Sequence, residues 1–237
     1  MVRFTGRSAH TILLRGKPTP QGYKILALCD HGYTYSFIFT SRTDSFVEVN
    51  HHLYQGHRAL SPTSRAVYQL VRDLPFDRFS FTIYMDNYFT NIRLLEALFE
   101  IGVGGCGTAR PTSAEYPREF KFAQRKPVFP LNTLSGVIQG HVLVCLWQDN
   151  NLVRFMSTVH QLTPGPENFA LKERRRPRVT DRNRENINRF FGDQPIITLL
   201  TPRIAIDYNE KMNVSRICLT RPGWLDMSHT ERLRDGI

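Results

Sequence analysis

Two aspartates, Asp30 and Asp86, are the residues of this chain best placed for chemistry, because each ends an apolar stretch of sequence. A carboxylate at the carboxyl end of a buried strand, next to a helix start, is a common position for a catalytic group in sheet-based enzymes. Mg²⁺ is a hard ion that prefers oxygen ligands, so two such carboxylates on neighbouring strand ends could share divalent cations. Two ions held in this way activate a nucleophile and stabilise a leaving oxygen in phosphodiester chemistry, although a third acid normally completes the site.

A simpler interpretation treats Asp86 as a turn residue. Asp-Asn after a strand is common turn chemistry, because both side chains form local hydrogen bonds with the backbone. The second strand–acid unit, ending at Asp30, favours the catalytic interpretation over the turn.

The strands that position the two acids are predicted from apolar patterns. Residues 22–30 form a nearly continuous apolar run, which is typical of a central strand covered on both faces. The short connection at 31–32 and the aromatic-rich residues 33–40 predict a hairpin with that strand. Residues 81–85 alternate apolar and polar side chains with high β-branched and aromatic content, which predicts the strand before Asp86.

Helices are predicted between and after these strands. Ser61 and Pro62 are a cap and first-turn pair that begins a helix with an apolar stripe ending near Leu74. A second helix is predicted from Thr90 to Ile101. The glycine-rich residues 103–110 predict a short strand with close backbone approach, and residues 142–159 predict a second hairpin.

The charge balance indicates a polyanionic partner. The chain of 237 residues has a formal net charge of +10, which favours nucleic acid first and an anionic membrane second. Arginine suits phosphate oxygens, so the basic segment within residues 161–195 predicts phosphate contacts or a nuclear import signal, with a solvated charged loop as the alternative. The residues predicted to bind nucleic acid are Lys172, Arg174, Arg175, Arg176, Arg178, Arg182 and Arg184.

Other site classes receive little support from the sequence. The four cysteines show no Cys-x-x-Cys spacing, which argues against a zinc ribbon or finger. Three of them lie in apolar strand-like runs, which is typical of small buried residues in a reducing compartment. Polar histidines at 51, 52 and 57 invite a metal interpretation, but their spacing does not predict converging ligands. No stretch approaches the roughly 18 apolar residues of a membrane span, so we expect no membrane partner.

Five sequence blocks, in order, resemble the piggyBac transposase family, most closely its transposon-derived copies. The blocks are Gly-Tyr-Lys-Ile-Leu-Ala-Leu-Cys-Asp-His-Gly-Tyr at 22–33, Met-Asp-Asn-Tyr-Phe-Thr at 85–90, Gly-Thr-Ala-Arg-Pro at 107–111, Ser-Thr-Val-His at 157–160 and Asp-Tyr-Asn-Glu-Lys-Met-Asn at 207–213. The resemblance covers roughly residues 1–213. It implies an α/β fold with an RNase H-like mixed sheet flanked by helices, incomplete here and followed by an irregular basic C-terminal segment.

The resemblance also implies a chemistry, namely Mg²⁺-dependent cleavage and joining of DNA at the ends of a mobile element. Asp30 would be the first catalytic, metal-binding acid and Asp86 the second. The family's third acid follows the segment matched by residues 208–213, where this chain continues Val-Ser-Arg without an acid. Asp207 belongs to the preceding block and does not align as a substitute. Residues 1–213 are therefore expected to be a partial catalytic domain, and residues 214–237, unlike the family, to be unstructured.

Three functions remain open at this point. The missing acid favours a catalytically inert, transposon-derived protein that binds DNA in the nucleus. An active transposase or nuclease with an unrecognised third ligand is the second possibility, and a basic module that binds nucleic acid or protein without catalysis is the third. The sequence does not indicate an oligomeric state.

Overall fold

The computed structural model describes residues 1–16, 18–30, 32–41, 54–56, 59–121, 129–181 and 183–212, and the backbone alone of 217–220. The strands are β1 Val2–Arg3, β2 Ile12–Leu13, β3 Gln21–Asp30, β4 Tyr33–Thr40, β5 Thr82–Met85, β6 Gly104–Thr108, β7 Leu134–Gln139, β8 Val142–Gln148, β9 Leu152–Ser157, β10 Phe169–Arg175, β11 Ile196–Pro202 and β12 Ile217–Thr220. The helices are α1 Pro62–Arg72, α2 Ile92–Glu100, α3 Arg184–Phe191 and α4 Arg203–Met212, with a 3-10 turn at Arg118–Phe120. Arg182 and the three loop histidines lie outside the described residues, so the predictions made for them stay predictions.

A mixed sheet forms the centre of the described fold. Its order is β1-β3-β12-β5-β6-β9-β8-β7, with β2 and β4 also pairing with β3. The β3–β4 hairpin and the β7–β8–β9 strands are antiparallel, whereas β5 and β6 are parallel. The prediction of an α/β fold with a mixed sheet is confirmed, as are both predicted hairpins and the short glycine-rich strand β6.

Helices α1 and α2 cover one face of the sheet. The Ser61 side chain accepts a hydrogen bond from the Ser64 backbone N–H, and Asn91 does the same for Leu94, so both helices begin where their caps satisfy free N–H groups. Their apolar stripes pack with Leu28, Ile83 and other inward side chains of the sheet into one buried core. The burial of this core is the main force that holds β3, β5 and β6 to the two helices.

Helix α4 covers the opposite face around β5 and β6. Tyr84 alternates with Ile83 along β5 and therefore lies on this second face. It packs with Cys106, Phe155 and the α4 residue Ile204, among others, in a separate buried cluster. The sheet is thus sandwiched between helices at the strand that leads to Asp86.

The basic segment is more regular than its composition indicates. Strands β10 and β11 form a separate antiparallel ribbon in which Lys172 pairs with Leu199 and Arg175 with Ile196. Helix α3 follows β10, and its Ile187 and Phe191 are buried in a small cluster with Leu131. Charge composition alone missed these elements, because the two strands of the ribbon lie about 20 residues apart in the sequence and pair only in the folded chain.

One face of strand β4 is rich in exposed aromatic side chains. Tyr35, Phe37 and Phe39, which we call the aromatic face, are 38%, 51% and 40% exposed. The rings of Phe37 and Phe39 meet edge to face with their centroids 5.5 Å apart. No charged residue occurs anywhere in residues 33–40.

None of the helices in the described residues has the length and apolarity needed to cross a membrane.

Candidate acid site and basic segment

Asp86 directly follows strand β5 and shapes the turn that leads into α2. Its Oδ1 accepts a hydrogen bond from the Tyr88 backbone N–H at 2.8 Å. Its carbonyl oxygen accepts from the Thr90 hydroxyl at 2.9 Å and from two further backbone N–H groups. The turn chemistry predicted for Asp86 is therefore present, and it leaves the half-buried carboxylate at the end of a central strand.

Strand β6 approaches this turn closely because it carries glycine where it passes Thr90. A Cβ atom on Gly107 would lie 2.6 Å from the carbonyl oxygen of Met85, which is too close for any side chain. Beyond β6, the Arg110 Nε donates to the Asn87 side-chain oxygen at 3.0 Å. The block at 107–111 thus forms one wall of the Asp86 site, and its glycine is required by the backbone approach.

Tyr208 of α4 contacts β6 next to Gly107, which is the register partner of Met85. Its hydroxyl lies 3.1 Å from the Thr108 hydroxyl. Burial raises the pKa of Tyr208, the hydrogen bond with Thr108 opposes this rise, and the negative charge of Asp86 adds to it. Tyr208 is therefore an uncharged phenol at neutral pH, within electrostatic range of Asp86, and sequence reasoning did not identify it.

Asp30 is the last residue of β3, but the structure does not place it beside Asp86. Strand β12 lies between β3 and β5, parallel to β3 and antiparallel to β5. The strands that carry the two acids consequently run in opposite directions, and their carboxyl ends point to opposite edges of the sheet. The expectation of two acids on neighbouring strand ends is not met in this arrangement.

The register gives the size of the separation. Cys29 and Tyr84 both lie opposite Cys218, which places Asp30 level with Ile83 on the far side of β12. Asp86 is then about 10 Å farther along the strand direction and two strand spacings, again about 10 Å, across the sheet. Residues 217–220, expected from sequence to be unstructured, form the strand responsible for this separation.

The described residues do not fit the two-cation site that the resemblance implies. They contain no group of three or more His, Cys, Asp or Glu side chains arranged to hold a metal ion. Asp30 and Asp86 are too far apart to bind cations only about 4 Å from each other. Asp207, which precedes the position of the missing third acid, is instead bound to His160, with 3.2 Å between Oδ2 and Nε2.

The His160–Asp207 contact joins two of the sequence blocks. His160 Nδ1 also lies 2.7 Å from the Ser157 hydroxyl oxygen. We call Ser157, His160 and Asp207 the relay. The sequence analysis identified both blocks but did not predict that they touch. The one sequence signal that linked them was that both are among the five blocks that resemble the family.

Four of the predicted nucleic-acid-binding side chains contact their own chain. Lys172 pairs with Glu210 at 3.4 Å, and Arg184 with Asp181 at 3.0 Å. Arg174 pairs with Asp149 and lies over the ring of Trp147, and Arg176 donates to Asn188 at 2.9 Å. These contacts stabilise the ribbon and α3, so the four residues have structural partners as well as positive charge.

Arg175 and Arg178 are exposed in the described structure. Side chains alternate along β10, so Arg175 lies on the face opposite Lys172 and Arg174. The predicted stripe is therefore divided between two faces of the ribbon. Lys172 and Arg184 are exposed as well but form ion pairs, and a role for any member of the set in DNA binding stays a prediction.

Comparisons with known proteins agree with this architecture. The family model described as Transposase IS4 matches residues 1–197. A cryo-EM structure of a piggyBac transposase synaptic complex with hairpin DNA is similar, with a TM-score of 0.57 and 19% identity over 87% of this chain and 35% of that chain. This chain thus spans about a third of that transposase chain, and the likeness confirms the predicted RNase H-like fold. No curated protein matches the chain.

Proposed function

This chain belongs to the Transposase IS4 family, and we propose that it is a transposase-derived protein that binds DNA without cutting it. Its fold is that of a piggyBac-type transposase, and the similar structure is a complex with hairpin DNA. The net charge of +10 favours association with a polyanion at diffusion-assisted rates. A DNA partner in turn makes the nucleus the expected location.

The separation of Asp30 from Asp86 by strand β12 is the observation that carries the proposal of inactivity. Metal-assisted phosphodiester cleavage needs carboxylates that converge on the same pair of cations. By resemblance these two residues are the first and second acids, and Mg²⁺ is the cation they would bind. The position of β12 between their strands supports the proposal that they do not share a cation pair, and the position of the third acid has no carboxylate in the sequence.

A nuclease assay on the full chain tests inactivity. Supercoiled plasmid and hairpin DNA are incubated with the protein and Mg²⁺ or Mn²⁺, and nicked or joined products are measured. We expect no more product from the unmodified chain than from Asp86→Ala. An exposed aspartate away from the site, changed in Asp77→Ala, is the matched control. Robust cutting that Asp86→Ala abolishes and Asp77→Ala preserves would overturn the proposal.

A separate binding assay tests the DNA partner. Fluorescence anisotropy with labelled duplex and hairpin DNA should show binding at low salt that weakens steeply as salt increases, because phosphate contacts release counterions. Absence of binding at about 50 mM salt would contradict the DNA-binding part of the proposal and leave the prediction of inactivity unaffected.

A further inference from the structure

We infer that His160 is a positioning residue: through the relay it fixes helix α4 on the sheet and thereby holds the Tyr208 hydroxyl on Thr108, the residue of β6 that follows the register partner of Met85. The inference concerns how α4 is held on the sheet. It does not depend on whether the chain cuts DNA or only binds it, so it stands or falls separately from the proposed function.

The imidazole of His160 is almost completely withdrawn from water. Only 7% of its side chain is exposed, compared with 28% for Asp207. Burying a polar group without a hydrogen bond costs free energy, so both ring nitrogens need partners. Nδ1 has Ser157 and Nε2 has Asp207, and both contacts fall within hydrogen-bonding distance.

The hydrogen bonds of Ser157 determine the direction of the relay. Its hydroxyl oxygen accepts from the backbone N–H groups of Val159 at 3.1 Å and His160 at 3.2 Å, which uses both lone pairs. The hydroxyl proton is then directed to Nδ1 of His160, the acceptor 2.7 Å away. Nε2 carries the imidazole proton and donates it to the Asp207 carboxylate, so the relay assigns the neutral Nε2–H tautomer.

Cys106 lies next to Ser157 but is not a thiolate that would accept the Ser157 hydroxyl proton. Burial raises the pKa of Cys106 well above its ordinary value, and the neighbouring Cys145 and Asp207 raise the pKa further. A hydrogen bond from Ser157 lowers the pKa, but by less. The thiol therefore stays protonated at neutral pH and is at most a weak acceptor. His160 remains the strongest acceptor within reach of the Ser157 hydroxyl.

The relay connects the interior of the sheet to a helix. Ser157 ends strand β9 and is in register with Cys106 of β6 and Leu143 of β8, so it is held from both sides. Asp207 lies in the middle of α4, one residue after a buried stretch that packs on the sheet. Hydrogen bonds through His160 therefore connect the sheet to one residue of helix α4 and fix the rotation of that helix about its axis.

The next residue of α4 contacts strand β6. Tyr208 packs edge to face on Phe155, with ring centroids 5.6 Å apart, and its hydroxyl bonds Thr108 on β6. Successive residues of an α-helix are about 100° apart, so rotation of α4 that released Asp207 would also carry Tyr208 away from Thr108. Holding Asp207 therefore holds Tyr208.

The experiment follows the titration of Tyr208 in the full chain. Tyrosine is labelled with ¹³C at Cζ, and the signal of residue 208 is assigned from the Tyr208→Phe variant. In the unmodified protein the pKa of Tyr208 is expected above the ordinary value of 10.0. In His160→Ala and Asp207→Leu it should fall toward that value, because the phenol becomes hydrated when α4 is released.

Two controls separate positioning from general destabilisation. Asp207→Asn keeps an oxygen acceptor for Nε2–H and should keep the raised pKa of Tyr208. Asn91→Ala removes the cap of α2, lowers stability elsewhere, and should leave the pKa of Tyr208 unchanged. A pKa of Tyr208 that is unaffected in folded His160→Ala protein overturns the inference.

The tautomer gives a test that needs no destabilising variant. ¹⁵N chemical shifts of the neutral His160 imidazole in the unmodified protein should show the proton on Nε2 and none on Nδ1. If His160→Ala fails to fold, this measurement and the Asp207→Asn titration decide the question. A protonated Nδ1 in the unmodified protein, or loss of the raised pKa in Asp207→Asn, would each count against the relay.

Discussion

The ammonium group of Lys24 lies over the ring of Tyr88, with Nζ 4.8 Å from the ring centroid. Lys24 precedes Asp30 on β3, whereas Tyr88 follows Asp86 directly after β5. The six steps from Lys24 to Asp30 extend about 20 Å along the strand. Since Tyr88 is two residues from Asp86, the contact places Lys24, and not Asp30, near Asp86. This argument does not use the β12 register, and it agrees with the separation that the register gives.

The position of β12 between the acid-bearing strands can be tested by cross-linking. Thr220 and Thr82 are register partners, so Thr220→Cys with Thr82→Cys should form a disulfide under mild oxidation. Cys29→Ser and Cys218→Ser are included to prevent mispairing. Mass spectrometry of non-reduced peptides measures the product, and fractional cross-linking above about half is expected for well-placed partners.

A register control accompanies this cross-link. Ser80→Cys with Thr220→Cys sets the two cysteines two residues out of register, at a Cα distance of about 7 Å or more, where a disulfide needs backbone movement. Equal cross-linking of the two pairs, or none in either, would contradict the strand position on which the proposed inactivity depends.

Arg174 and Arg175 are neighbours with different expected roles. Arg174→Ala removes an ion pair with Asp149 and a contact with the Trp147 ring, and both partners are largely shielded from water. We expect a loss of about 1 kcal/mol, equivalent to roughly 3 °C in melting temperature. Arg175→Ala, on the exposed face, is the matched control and should change stability by less than about 0.5 kcal/mol. Urea denaturation of both variants measures the difference.

The exposed arginines should instead affect DNA binding. The double change Arg175→Ala and Arg178→Ala removes two candidate phosphate contacts, so the slope of log K against log salt should become shallower by about 1.8. Arg78→Ala changes an arginine that is 80% exposed and lies on another part of the surface, and it should leave the slope unchanged. An equal effect from both would mean that the charge acts through the net field of the protein and not through the ribbon.

Alkaline pH should destabilise the fold through its buried acids. Burial raises the pKa of Cys145 to about 12 and that of Tyr116 to about 12, and it also raises the pKa of Cys106. Ionisation is easier in the unfolded chain, so these groups contribute their full share of the unfolding free energy below about pH 8.5. That contribution is lost as the pH rises toward their folded-state pKa values. Each thiol contributes a loss of up to about 1.4 kcal/mol per pH unit in that range.

Urea titrations between about pH 8 and 11 measure this loss, with Cys145→Ala as the test variant. Removing one raised pKa should flatten the decline of unfolding free energy with pH, even if the variant is less stable at neutral pH. A decline of the same slope in both proteins would contradict the assignment of Cys145 as a buried titrating group.

Local pattern was sufficient for the elements around the acids. The apolar run before Asp30, the alternation before Asp86 and the Ser61-Pro62 helix start each depend on neighbours within a few residues, and each was predicted correctly. The RNase H-like fold came from the order of the blocks. These signals describe which elements exist and do not describe how distant strands are ordered.

The differences between expectation and structure concern long-range placement. Nothing in residues 214–237 has the periodicity of a strand, yet Ile217–Thr220 gains its stability from two partner strands already in the sheet. Pairing of this kind depends on tertiary context more than on intrinsic propensity. The contact of His160 with Asp207 spans 47 positions of sequence, and only the fold reveals that these two residues form one unit.

The aromatic face of β4 determines how this protein will behave in solution as salt is added. At low ionic strength a net charge of +10 keeps separate molecules apart, although residues 33–40 carry none of that charge. Salt screens the repulsion but leaves the affinity of exposed rings for one another intact or strengthened. High salt, which would weaken the proposed DNA contacts, is therefore also expected to lower the solubility of the free protein, so nucleic acid is best removed at moderate salt and low protein concentration.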